Sequence, residues 1–177
     1  AGNYEEVLKG HRSSRSKASE IENAIKHHIK INIDDDPEYY KNLSERLEDI
    51  IKKYDEKWDE LVQLLLNLRE NIESDRKQQA DDLGLTQTEL AFYNILLAEV
   101  GGSETPSQAS QSQIKDVVQS LVSMLDEATQ IVDFFSKWDE QKRVKRDIKR
   151  IIIKNFDESL VKPITERFMD LAETKYK

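Results

Sequence analysis

The sequence predicts an all-α fold, an elongated bundle of about six to seven helices with no sheet. Three observations predict it. Apolar residues recur at steps of three and four, and no stretch alternates with a period of two. Glycine (5) and proline (3) are scarce, whereas sheets joined by tight turns consume both. Charged residues reach 35% against 37% apolar, a balance that suits helices with a wide solvated surface.

The elements follow in order. Residues 1–18 form a polar lead-in, with Ser13, Ser14 and Ser16 between Arg12, Arg15 and Lys17. This reads as a short helical turn near residues 4–8 followed by a loop. Ile21, Ala24, Ile25, His28 and Ile29 then place an amphipathic helix over about 17–32. Asp34, Asp35, Asp36 and Pro37 break it, with Asp36 as N-cap and Pro37 as first helical residue. Tyr40, Leu43, Leu47, Ile50 and Tyr54 share one stripe. Trp58, Leu61, Leu65, Leu68 and Ile72 continue it after a one-residue slip, so a break falls near Asp55 or a single helix spans 37–80.

Gly84 ends that region. Thr86 and Glu89 make a capping box, so a helix starts at Gln87 and buries Leu90, Tyr93 and Leu97, with Phe92 beside them. Residues 101–111 have the composition of a flexible linker. They divide a first helical part (19–100) from a second (112–177), the two packing as one helical domain. Ile114, Val118, Leu121, Leu125, Ala128, Val132 and Phe135 predict a seam over three heptads. Phe134, Phe135 and Trp138 read as exposed aromatics before a basic helix. A last amphipathic helix starts at Pro163 and buries Ile164, Phe168 and Leu171.

Several chemistries find no residues to use. There is no cysteine, which removes disulfides, thiolate metal sites and a thiol nucleophile together. The glycines form neither phosphate-cradling pattern, GxxxxGK or GxGxxG. Asp55-Glu56-Lys57 and Glu173-Thr174-Lys175 match the (D/E)xK tripeptide of a magnesium nuclease, but both lie in helical sequence where such a site needs a strand pair. Asp34, Asp36, Glu38 and Glu45 mimic a calcium loop, yet Tyr39 stands where the sharp turn needs glycine; a helix cap is the simpler reading. His27 and His28 point about 100° apart on a helix and cannot share one metal; His28 reads as a satisfied core histidine. No metal site is expected, and no catalytic residues. No apolar run approaches the ~20 residues of a membrane span. The absent secretory signal and absent cysteine fit a cytoplasmic chain, and Ala1-Gly2 need not be a natural start, so the chain reads as a fragment.

Charge singles out one candidate site. Net charge is −8, but residues 137–154 hold eight basic residues against three acidic. Val144, Ile148 and Ile151 mark the buried side of this helix, so Lys142, Arg146, Lys149 and Arg150 point away, with Arg143 and Lys145 beside them. Such a face can neutralise nucleic-acid phosphates, dock on an acidic protein surface, or stand solvated and paired within the chain. Sequence alone leaves these three open.

Five stretches together resemble a known family: SEIENAIKHHI at 19–29, NIDDDPEYYKNLSERL at 32–47, KWDEL at 57–61, LGLTQTELAFY at 83–93 and VDFFSKW at 132–138. In this order they resemble the C-terminal helical region of the restriction (motor) subunit of type I restriction–modification enzymes. The resemblance covers about 19–155. It implies a non-catalytic assembly domain in bacterial defence that joins the motor to a methyltransferase core of modification and specificity subunits. Contact with double-stranded DNA phosphates would be a secondary role, and the rest of the motor subunit a further partner. ATP and magnesium would serve nuclease and translocase parts of the parent, with no cofactor in this chain. The rival reading is a stand-alone helical adaptor that acts through the 114–135 seam and the aromatics after it.

Overall fold

The computed structural model describes the backbone of residues 2–101 and 108–177, and side chains over 13–101 and 110–177. Among these residues the fold is all-α, with seven α-helices and no strand. They are α1 (Gly2–Asn32), α2 (Pro37–Lys53), α3 (Trp58–Leu83), α4 (Gln87–Gly101), α5 (Gln108–Ala128), α6 (Trp138–Asn155) and α7 (Val161–Tyr176). Short 3₁₀ turns at Phe134–Ser136 and Glu158–Leu160 precede α6 and α7. The chain forms two compact units. The first is Ala1–Ile33 with Tyr39–Gln78, and the second is Asp34–Glu38 with Gln79–Lys177.

The first unit buries one stripe from each of three helices. Ile21, Ile25 and Ile29 of α1 meet Tyr40, Leu43 and Leu47 of α2 and Leu61, Leu65, Leu68 and Ile72 of α3. The serine-rich stretch expected to be a loop is helical, because α1 begins at Gly2. Serine disfavours helix interiors when its hydroxyl competes for the backbone. Here Ser14 donates instead to the Asp59 carboxylate, and Arg15 lies 5.4 Å over the Trp58 ring. Tertiary contacts thus outweigh local propensity. Between α2 and α3 the chain breaks at residues 54–57, where Glu56 takes a left-handed φ of 63°. The Asp55-Glu56-Lys57 tripeptide therefore sits in a turn, not in a helix as the sequence suggested. His28 is half-buried at the rim rather than in the core, its Nε2 3.0 Å from Glu73 Oε1, which also accepts from the Tyr40 hydroxyl at 3.1 Å.

In the second unit α4, α5, α6 and α7 pack in a cycle, α4 on α5, α5 on α6, α6 on α7 and α7 on α4. Helix α4 is buried nearly all round (Leu90, Ala91, Phe92, Tyr93, Ile95, Leu96), as expected of a helix apolar on every face. Phe92 meets Phe168 of α7 edge-on at 5.1 Å. The entry to α4 follows the sequence expectation. Gly84 takes φ +66°, and its N–H and that of Leu85 bond back to Asp81 and Ala80, a Schellman close to α3. The Thr86 amide donates to the Glu89 carboxylate at 2.9 Å, and the Glu89 amide to the Thr86 hydroxyl at 3.1 Å.

Two expectations about α5 need correction. Residues 108–111, expected in the linker, already form its first turn, whereas 102–107 lie outside the described residues. The seam also stops short. Ile114, Val118, Leu121 and Leu125 are buried, but α5 ends at Ala128 and Val132 is 76% exposed. The Thr129 hydroxyl bonds back to the Leu125 carbonyl and Asp133 turns left-handed at φ 58°, so the chain leaves the helical phase. Phe134, expected outside, is then buried, packed edge-on against the partly buried Phe135.

Candidate functional site

Helix α6 places the sequence-selected cations on one wall of the second unit. Its buried residues are Val144, Ile148 and Ile152, at steps of four. Ile152 takes the place expected of Ile151, which is only half-buried. From Ile148 a step of four turns a side chain about 40° and a step of three about 60° the other way, so Ile152 lies about 100° around the helix from Ile151. Asp139 and Glu140 in the first turn and Lys154 in the last suit the helix dipole.

Lys142, Arg143, Lys145, Arg146, Lys149 and Arg150 are all exposed. They are not equivalent. Arg143 lies 3.5 Å from Glu140, and Asp147 lies 3.4 Å from Arg146 and 3.9 Å from Arg150. Exposed pairs of this kind are weak, so the arginines keep most of their freedom while part of their charge is offset. Lys142 sits 4.7 Å over the ring of Trp138, itself 69% exposed. Among the described residues no ion pair holds Lys145 or Lys149.

The face is grooved. A shallow depression of about 670 Å³ runs along the α6 cations, and one of about 650 Å³ runs between α6 and α7. Both are walled by Lys145, Lys149, Ile153 and Val161. Lys162 joins from α7, with Glu158, Glu166 and Asp170 along the second depression. Sequence reasoning missed Lys162, Ile153 and Val161. Ile153 was within reach: extending the 144–148 phase buries Ile152 and turns Ile153 outward, where it is 53% exposed. Lys162 and Val161 were not, because only the packing of α7 on α6 brings them there.

Elsewhere in this unit, the acidic loop read as a helix cap carries tertiary links. Arg167 of α7 donates to Glu38 at 2.5 Å and to Glu99 at 3.0 Å. Burial works against the guanidinium charge, but the bonds to both carboxylates outweigh it and raise its pKa. Asp36 is fully buried and accepts from Asn94 at 3.3 Å, and Lys175 lies 3.6 Å from Asp35. With Asp36 fully enclosed and Glu38 committed to Arg167, two of the four carboxylates of the calcium-loop pattern are turned to structural use. Among the described residues no three histidine, aspartate or glutamate side chains converge to hold a metal ion. Nor is any helix long and apolar enough to cross a membrane.

Comparison with known proteins adds a relationship. Residues 3–177 match the family described as type I restriction enzyme HindI endonuclease subunit-like, C-terminal. The chain is also 27% identical over 153 residues to a protein of Methanocaldococcus jannaschii described as the type I restriction enzyme MjaIXP endonuclease subunit. That alignment covers 84% of this chain and 14% of the relative, so the chain spans a small part of the relative's length. No solved structure matches the chain.

Proposed function

This chain belongs to the type I restriction enzyme HindI endonuclease subunit-like C-terminal family, and from that premise we propose that it is a non-catalytic assembly domain. It docks the DNA-translocating nuclease subunit onto the methyltransferase core of modification and specificity subunits. Contact with duplex phosphates is a secondary role. ATP and magnesium belong, in this reading, to the rest of the motor subunit, and the assembly works in the cytoplasm.

One observation carries the proposal: six exposed cations on a single wall of a unit that is otherwise acidic. The second unit holds 13 basic and 21 acidic residues, and six of the 13 stand between 142 and 150. A local patch of opposite sign steers an encounter and fixes its orientation. The stand-alone adaptor keeps one supporting feature, the exposed Val132 and Trp138, and loses another in the burial of Phe134.

The test is co-elution of the 177-residue chain with a purified methyltransferase core in size-exclusion chromatography, with and without duplex DNA. Stable co-elution without DNA is expected. Reversing charge at Lys142, Arg146, Lys149 and Arg150 together should weaken it at least tenfold. If that variant still binds both core and DNA as the parent does, the α6 face is not the site. Reversible self-association in sedimentation, with no core binding, would favour the adaptor instead.

A further inference from the structure

We propose that the α6–α7 groove is a seat for an acidic, amphipathic helix of the protein partner, and not for a nucleic-acid backbone. The proposal deepens the docking reading and rests on it for the identity of the partner. Lys145, Lys149 and Ile153 recur at steps of four along α6, two lysines and then an apolar side chain over ~12 Å. Lys162 and Val161 repeat that pairing from the α7 side of the same depression. The groove therefore offers cations and an apolar floor together.

Three features favour a helix over phosphate. First, Ile153 is 53% exposed although its neighbour Ile152 is completely buried. Covering apolar surface stabilises a protein contact, whereas a hydrated phosphate gains nothing from it. Second, the groove lysines have no carboxylate partner among the described residues, while the arginines on the outer side share Asp147 and Glu140. Charge is most available where the floor is apolar. Third, Glu158, Glu166 and Asp170 line the α7 side. A duplex carries negative charge along its whole length and would press it against these carboxylates. A helix can direct glutamates to the lysine wall and neutral or basic residues to the other, so the mixed walls also set its direction.

The experiment uses the 177-residue chain, folded by circular dichroism, against three probes: the methyltransferase core, a designed glutamate–leucine amphipathic helix of about 14 residues, or four turns, and a duplex without sequence preference. Ile153→Ser should loosen the core and the designed helix about tenfold and leave duplex binding and its salt dependence unchanged. Lys145→Glu with Lys149→Glu should loosen both protein probes more. The designed helix should also shift the methyl resonances of Ile153 and Val161. If the core binds and neither variant matters, the groove is wrong while the docking reading stands. If the core does not bind but the designed helix seats at Ile153, the docking reading fails and the groove stands. Duplex binding lost in the lysine variant, with the protein probes unaffected, would assign the groove to phosphate and overturn the proposal.

Discussion

Arg167 shows how single residues organise the second unit. Its side chain is 30% exposed and reaches Glu38, at 12%, and Glu99, at 24%. Removing it strands two carboxylates that folding has largely withdrawn from water. A fully buried broken pair costs 3–5 kcal/mol, and the remaining exposure lets solvent screen part of that, so Arg167→Met should destabilise by about 2 kcal/mol. Lysine has one ammonium where arginine has a fork, so Arg167→Lys should recover less than half. Urea denaturation of the three proteins checks this. A loss below about 0.5 kcal/mol would place the trio among ordinary surface pairs. None of it was legible beforehand, because Glu38 and Arg167 stand 129 residues apart and only packing brings them together.

At the scale of elements, the joint between α3 and α4 concentrates local signals. Gly84 sits at φ +66°, and an added Cβ would come within 3.2 Å of the Lys115 ammonium, a flexible group that can yield. Backbone strain therefore dominates, and Gly84→Ala should cost roughly 1–2 kcal/mol. Thr86→Ala should cost about 1 kcal/mol by leaving the Glu89 amide without its acceptor. Paired with Glu89→Ala, it should cost less than the sum of the single changes, since the two bonds form one motif. Melting curves of the parent, the three single variants and the double variant read both outcomes, and strict additivity would mean that the two bonds act independently. This joint was readable because its geometry is set within ten residues of sequence, 80–89. The course of α1 was not, since Ser14 and Arg15 find their partners, Asp59 and Trp58, forty-five and forty-three positions along the chain. The end of α5 failed for the opposite reason: the apolar period runs on through Val132 after the backbone has already left the helix at Ala128. The cations of α6 were legible because one helix carries them, and the groove beside them was not, because it needs α7.

Across the whole chain, buried and partly buried phenols set a limit on the alkaline side. Burial raises the pKa of Tyr40, Tyr93 and Tyr176, and nearby Glu73 and Asp126 push the first and last further. Tyr40 donates to Glu73, and Tyr176 to Asp126, so ionising either would set two anions against each other. In the unfolded chain these phenols lose their protons near the ordinary value of 10.0. In the folded chain they keep them to higher pH. Their contribution is therefore intact below pH 10 and declines as pH rises above it, because only the unfolded chain gains by releasing protons. Each phenol supplies at most ~1.4 kcal/mol of loss per pH unit in that window. Urea midpoints measured at pH 9, 10 and 11 should fall steeply over the last step. Tyr40→Phe with Tyr176→Phe should start from a lower midpoint at pH 9, having lost two hydrogen bonds, and then fall more gently. Because Tyr40 lies in one unit and Tyr176 in the other, the single variants separate the two contributions. Parallel slopes in parent and double variant would mean that neither Tyr40 nor Tyr176 is shielded.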